Sequence, residues 1–206
     1  MLRYSTALIF LASLCCAYSY SAYAVDTITE RSSDTKFDKT VTFTNKGQTF
    51  TLQATGASLR RKWFIKGYAV ASYIQNPVKG DQEAVLKDIF ASDKAKQITM
   101  MWLHKLPLSL IRDGFKESLH KTLNDTDYVS LEPEINKFLS FFRADAEVGD
   151  MIVFRWLPGG YLELIINDQP LGTLVSVELA RALWSIWLGP ESVVDRKQMI
   201  SLVSND

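Results

Sequence analysis

Arg60 and Tyr68 are the two side chains of this sequence whose types and spacing could act together on one ligand. A planar guanidinium can hold a carboxylate through two parallel hydrogen bonds, and a nearby phenol can donate a third. The two residues are eight positions apart, and side chains on a strand alternate between two faces. If one strand without a bulge contains both, they share a face, and that face is the predicted site for an anionic ligand.

The predicted strand is long and runs from about Lys62 to Gln75, with Arg60 at its entrance. Its opposite face is apolar or small from Trp63 to Tyr73, which is typical of a face that packs in a core. The face of Arg60 and Tyr68 instead mixes cations with apolar side chains. We expect Phe64 and Val70 to form apolar walls of the site.

Each of these residues also has a structural interpretation. Arg60 could pair with a carboxylate such as Glu178 or cap the strand at the surface. A tyrosine in a half-buried strand is usually a core residue with its hydroxyl at the rim. Lys62 and Lys66 either rim the cleft or extend out of it, and Arg61, on the other face, is expected to meet solvent.

Other kinds of site find little support in the sequence. His104 and His120 have no second ligand at metal spacing, so no metal and no cofactor are predicted. There is no nucleophile elbow and no phosphate-binding loop, since Pro158-Gly159-Gly160 has the composition of a hairpin turn. No block of positive charge is present, which argues against a nucleic-acid partner.

The first 24 residues are predicted to be a signal peptide. Arg3 precedes an apolar run over residues 7–17, and Ala22-Tyr23-Ala24 predicts cleavage after Ala24. The run is shorter than the roughly 20 residues that a membrane span needs. We therefore expect an exported, periplasmic protein of bacterial type, without a transmembrane segment once the signal peptide is removed.

Residues 25–36 are polar and are predicted to be a flexible arm, followed by one domain over residues 37–206. Strand patterns come first, with a hairpin turn near Gly47. Helical patterns follow at residues 82–91, from Ser109, and at residues 132–143, with a strand at residues 97–103. Three strands between Met151 and Val175 precede a helix at residues 177–188 and a last helix at residues 193–203. Such segregated blocks predict an α+β fold, with helices on one face of an antiparallel sheet.

Five motifs in this order resemble the chalcone isomerase-like family over about residues 37–203. They are Gly56-Ala57-Ser58-Leu59-Arg60, the strand from Phe64 to Tyr73, Gly149-Asp150, Leu157-Pro158-Gly159, and the helix end from Ala182 to Gly189. The resemblance implies an open-faced β-sandwich with a cleft between sheet and helices. It places the family's ligand-binding arginine at Arg60.

The resemblance also implies which branch of the family this chain is most like. Tyr68 falls where plant isomerases have a threonine and where fatty-acid-binding relatives have a tyrosine that helps to hold a carboxylate. The catalytic tyrosine of the plant enzymes would fall near Leu110 or Ile111, and its asparagine partner near Ser118. The residue that selects the chalcone ring would fall near Ile186. These side chains do not carry the corresponding groups, so catalysis is not the favoured interpretation.

Three hypotheses for function follow. The favoured one is a non-catalytic protein that binds a small amphiphilic anion, such as a fatty acid, through Arg60, Tyr68, Phe64 and Val70. The second is an isomerase or intramolecular lyase that acts on a chalcone-like or other carbonyl substrate, with Arg60 and Tyr68 as the catalytic candidates. The third is a structural or interaction module of the cell envelope.

Overall fold

Runs of β-branched and aromatic residues, separated by turn residues, form the sheet around which this protein is built. The structure, a computed structural model, describes residues 26–62 and 64–205. The strands in these ranges are β1 Thr27–Glu30, β2 Thr35–Asp38, β3 Thr40–Asn45, β4 Gln48–Lys62, β5 Ile65–Ile74, β6 Lys96–Trp102, β7 Met151–Leu157, β8 Tyr161–Ile166 and β9 Gln169–Val175. The helices are α1 Gln82–Phe90, α2 Leu108–Thr122, α3 Asp125–Ser130, α4 Glu132–Ser140, α5 Val177–Leu188 and α6 Arg196–Met199.

Strands β3 to β9 form one antiparallel sheet in sequence order, and β1 pairs with β2 in a separate small sheet. One face of the large sheet packs on the helices, with Val70, Phe154 and Trp187 in the shared core. On the other face a second cluster includes Phe37 of β2 and Tyr73 of β5. The predicted α+β architecture, an antiparallel sheet with a helical layer on one face, is confirmed.

The predicted single strand through Arg60 and Tyr68 is wrong, because the chain reverses direction between them. Strand β4 ends at Lys62 and β5 begins at Ile65, and the two strands pair antiparallel. The reversal contains no glycine, asparagine or proline, the residues that usually mark a turn. The alternation of apolar and cationic residues therefore continues through the reversal, and no local residue pattern indicates a turn there.

The predicted flexible arm is also wrong for the residues that the structure describes, because residues 27–38 form the β1–β2 hairpin. Ile28 pairs with Phe37 across it, and Phe37 is buried. The Glu30 carboxylate accepts hydrogen bonds from the backbone N–H groups of Ser32 and Ser33, at 3.1 and 2.8 Å. The polar residues that suggested a loose segment thus stabilise the turn between β1 and β2.

The last predicted helix shrinks to the four residues of α6. Long-range bonds hold the chain around it, since Leu202 N–H donates to the Thr55 carbonyl at 2.9 Å and the Thr55 hydroxyl donates to the Met199 carbonyl at 2.8 Å. These bonds to β4 replace the continuation of a helix. The short helix α3 is not predicted, and β4 extends well beyond the predicted hairpin, to Lys62, while the remaining predicted helices and the strands β6 to β9 lie close to their expected bounds.

The predicted signal peptide, its cleavage point after Ala24 and the first residue of the predicted arm lie outside the described residues. Within the described part of the chain, every helix is too short or too polar to cross a membrane.

Candidate functional site

Arg60 and Tyr68 are brought together by pairing between two strands and not by alternation along one. Arg60 on β4 lies directly opposite Tyr68 on β5. The next pair is Arg61 with Lys66, so the register shifts there and Gly67 is left as a bulge. A bulge changes the direction of the neighbouring side chains. Arg60 is half-buried on the helix side of the sheet, while Arg61 is exposed as predicted.

The Arg60 guanidinium is held by a backbone carbonyl beyond α5. Its Nη1 donates a hydrogen bond to the Val193 carbonyl at 2.9 Å, and the Val193 N–H donates to the Ile186 carbonyl at 2.9 Å. Glu178, the alternative partner, belongs to the first turn of α5 and lines a different cleft. A guanidinium has five N–H donors in a fixed plane. Its bond to Val193 orients that plane and leaves further donors for a ligand.

The Tyr68 hydroxyl is oriented by a buried tryptophan. Trp187 Nε1 donates a hydrogen bond to it at 3.0 Å, and the Trp102 ring meets the Tyr68 ring edge to face at 5.3 Å between centroids. Burial raises the pKa of Tyr68 to about 12, although the Trp187 bond and the Arg60 charge act in the opposite direction. The phenol therefore stays protonated at neutral pH. Because Trp187 occupies one acceptor position, the Tyr68 proton is free to donate elsewhere.

Both residues line a cavity of about 500 Å³ between the sheet and α2, which we call the Arg60 cavity. Such a volume is within the roughly 300–1,000 Å³ of typical small-molecule sites. Its walls are mainly apolar and include Met100, Trp102, Ile111, Phe115 and Ile186. The site thus combines an apolar interior with a guanidinium and a phenol.

The mouth of the Arg60 cavity is formed by its exposed lining residues, which include Lys62, Ile65, Leu110, Asp113, Glu117 and Lys121. Lys121 Nζ and a Glu117 carboxylate oxygen are 2.6 Å apart. The hydrogen bond and charge of Lys121 lower the pKa of Glu117, and the charges of Lys62 and Arg60 add to this effect. The Glu117 carboxylate at the mouth is thus held ionised by the cations around it.

Phe64 and Val70 do not form the predicted walls. Phe64 is 100% exposed at the tip of the β4–β5 hairpin, and Val70 is fully buried in the core beneath the helices. Neither residue lines the Arg60 cavity. The error follows from the hairpin, because the turn after Lys62 places Phe64 beyond the edge of the cavity.

The four positions that the resemblance associates with isomerase chemistry do meet in this cavity. Leu110, Ile111, Ser118 and Ile186 all line it. Three of these side chains are aliphatic and cannot donate or accept a hydrogen bond, and the fourth is a serine whose hydroxyl donates to the Gly114 carbonyl at 2.7 Å. Tyr68 is thus the one phenol among the lining residues that the structure describes.

Sequence reasoning missed Trp187 and Val193, which orient the two polar groups. The Trp187 ring is fully buried, as expected for a tryptophan on an apolar helix. Its polar edge is what contacts Tyr68, and no spacing pattern encodes a bond between residues 119 positions apart. The Val193 contact is made by the backbone, so its side-chain type could not have revealed it.

The two histidines lie apart. His104 is exposed and lines the Arg60 cavity, whereas the His120 ring packs against Tyr128 with centroids 4.4 Å apart. Across residues 26–62 and 64–205, no group of His, Cys, Asp and Glu side chains is arranged to hold a metal ion.

Comparisons with known proteins agree with this architecture. The family model described as chalcone isomerase-like matches residues 29–199. No curated protein matches the chain. Among solved structures, a fatty-acid binding protein of Arabidopsis thaliana superimposes with a TM-score of 0.71 at 18% sequence identity, covering 85% of this chain and 96% of that one. At this identity the likeness shows the shared fold.

Proposed function

Because the chain belongs to the chalcone isomerase-like family, we propose that it binds a small amphiphilic anion, such as a fatty acid, in the Arg60 cavity without transforming it. One observation carries this proposal: Arg60 and Tyr68 are paired across two strands at an apolar cavity. Each is already oriented by a hydrogen bond within the protein, Arg60 by the Val193 carbonyl and Tyr68 by the Trp187 N–H group. A site that is oriented before binding loses less conformational entropy when the ligand arrives.

The head group of the ligand is a carboxylate or a similar planar anion. Arg60 donates to it through the guanidinium N–H groups that Val193 does not use. Tyr68 donates its hydroxyl proton, which the raised pKa keeps in place at neutral pH. Bonds of this kind, in which one partner is charged, contribute about 1.5–3 kcal/mol each.

The apolar tail supplies most of the affinity. Each buried methylene contributes about 0.8 kcal/mol, so four methylenes match one strong head-group bond. The Ile111, Phe115 and Ile186 side chains provide the surface against which the tail packs. Arg60 therefore fixes the orientation of the ligand and selects anions over neutral amphiphiles.

Two further considerations support binding rather than catalysis. The Arabidopsis thaliana protein that shares this fold is a fatty-acid binding protein. In addition, the lining positions Leu110, Ile111 and Ile186 offer no group that could organise a water or move a proton. We also propose that the protein acts outside the cytoplasm, on the basis of the sequence of residues 1–24.

The experiment has two steps. First, protein purified under native conditions is denatured and extracted with organic solvent, and the extract is analysed by mass spectrometry. Second, protein stripped of lipid is titrated calorimetrically with dodecanoate and with dodecanol, which share a tail length and differ in the head group. The wild type is expected to bind dodecanoate more tightly than dodecanol.

Arg60→Gln and Arg61→Gln provide a matched pair of variants. Arg60 is half-buried and lines the cavity, whereas the adjacent Arg61 is exposed to solvent and does not line it. Arg60→Gln is expected to weaken dodecanoate binding about 10- to 100-fold and to leave dodecanol binding unchanged. Arg61→Gln should match the wild type. Equal losses in both variants would refute an Arg60 anchor, and failure of the wild type to bind either compound would refute the binding function. Cyclisation of a chalcone by the wild type but not by Arg60→Gln would assign an isomerase instead.

A further inference from the structure

The tip of the β4–β5 hairpin exposes apolar side chains beside the mouth of the Arg60 cavity. Phe64 is 100% exposed and Ile65 is 55% exposed. Ile65 also lines the cavity, as does Leu110, which is 53% exposed on the first turn of α2. Apolar side chains grouped in this way around an opening are unfavourable in water and mark contact surfaces.

The same tip is strongly cationic. Residues 61–66 contain Arg61, Lys62 and Lys66 and no acidic residue, and all three cations are exposed. Lys66 Nζ donates to the Ser32 carbonyl, which links the hairpin tip to the β1–β2 turn. The acidic residues that line the cavity, Asp113 and Glu117, both belong to α2 and not to the tip, and Glu117 is paired with Lys121.

We propose that this hairpin tip docks the protein on an anionic lipid bilayer, with the mouth of the Arg60 cavity facing the lipid. Phe64 and Ile65 enter the boundary between headgroups and acyl chains, where interfacial segments bury their apolar residues. Arg61, Lys62 and Lys66 contact the lipid phosphates, since cations near such a surface are each attracted by the negative potential of the leaflet. The combination of a fully exposed phenylalanine with flanking cations fits this charged, apolar boundary.

The docking proposal is argued from the side chains of the hairpin tip alone. The proposed binding function explains only why docking would be useful. An amphiphile with an apolar tail partitions into bilayers, so a cavity whose mouth meets the lipid can exchange ligand without passing it through water. Because Phe64 does not line the cavity, its substitution separates docking from ligand binding.

The test is flotation of the purified protein with vesicles of phosphatidylcholine alone or of phosphatidylcholine and phosphatidylglycerol in a two-to-one ratio. The wild type and all variants must have identical N-termini, verified by intact mass, because the apolar run at residues 7–17 could itself bind vesicles. The variants are Phe64→Ser, and Arg61→Gln with Lys66→Gln, because none of these three residues lines the Arg60 cavity. Matched controls elsewhere on the surface are Val148→Ser with Val175→Ser, whose side chains are 67% and 68% exposed, and Lys79→Gln with Lys137→Gln.

The wild type is expected to float with the anionic vesicles and far less with the neutral ones. Phe64→Ser should lower the partition coefficient at least about tenfold, and the cation variant about fivefold for each charge removed at low salt. Both controls should stay within about twofold of the wild type. Vesicle binding that is absent in the wild type, equal for both lipid compositions, or unchanged in the hairpin variants would overturn the proposal. Dodecanoate titration of the same variants without vesicles should match the wild type, so a failure of docking is distinguishable from a failure of the binding function.

Discussion

The bond between Trp187 and Tyr68 can be tested by removing a single oxygen atom. Tyr68→Phe preserves the ring and its edge-to-face contact with Trp102, but it removes the acceptor that lies 3.0 Å from Trp187 Nε1. Trp187 is fully buried, so its N–H group would lose its partner inside the core. The variant therefore measures how strongly the structure depends on the hydroxyl that we assign to the ligand.

The expected effects follow from general energies of hydrogen bonding. An orphaned buried donor costs about 1–3 kcal/mol of unfolding free energy. For a protein of this length, each kcal/mol lowers Tm by about 2–4 °C, so a loss of 2 kcal/mol corresponds to about 4–8 °C. The variant should also bind dodecanoate at least about tenfold more weakly, which corresponds to the loss of about 1.5 kcal/mol or more from the Tyr68 bond to the charged head group.

The assay is chemical denaturation of the wild type, Tyr68→Phe, Trp187→Phe and the double variant, combined with calorimetric titration of dodecanoate. If the bond exists, Tyr68→Phe costs less in the Trp187→Phe background, with a coupling energy of about 1 kcal/mol or more. Tyr161→Phe is the control, because the Tyr161 ring faces the Lys46 ammonium and the loss of its hydroxyl should change stability by less than about 0.5 kcal/mol. A coupling energy near zero would show that the two groups do not interact, and the orientation of Tyr68 would then need another explanation.

Two further predictions concern the fold that supports the cavity. Gly56→Ala should lower the unfolding free energy by about 3 kcal/mol or more, because a Cβ there would lie 2.1 Å from the Gln198 carbonyl oxygen. Gly114→Ala is the control, since its added atom meets open space on α2, and it should raise the unfolding free energy by about 0.5–1 kcal/mol. Denaturant titration measures both changes. Burial lowers the pKa of Lys96 from 10.5 to about 8, so between these values the unfolded chain binds more protons and stability should rise with pH, by at most about 1.4 kcal/mol per pH unit. Denaturation at pH 7, 8, 9 and 10 should show this rise in the wild type and not in Lys96→Met, and identical pH profiles would contradict it.

The Gly56 position also explains part of the sequence motif that ends at Arg60. The chain around α6 lies directly against β4 at this glycine, and the Thr55 hydroxyl bonds to the Met199 carbonyl next to it. The same end of the chain continues from Val193, whose carbonyl orients Arg60. A glycine four residues before the arginine thus allows the close contact that fixes the segment holding the guanidinium.

The sequence by itself determined the α+β class and most of the elements. Local patterns suffice for these because alternation and helical periodicity report which side of an element is buried. The resemblance in motif order also identified the four positions, including Ile111 and Ile186, that meet in the cavity. Composition alone, however, suggested a loose arm where Glu30 closes a hairpin turn.

Only the tertiary structure decided how the site is built. The turn between Lys62 and Ile65 has no turn residues, so the sequence could not reveal that Arg60 and Tyr68 lie on separate strands or that Phe64 is at an exposed tip. The bonds that orient the two polar groups come from Val193 and Trp187, more than a hundred residues away in the chain. Such contacts depend on where the helical layer packs against the sheet, and this is set by the packing of the whole core and not by any local pattern of residues.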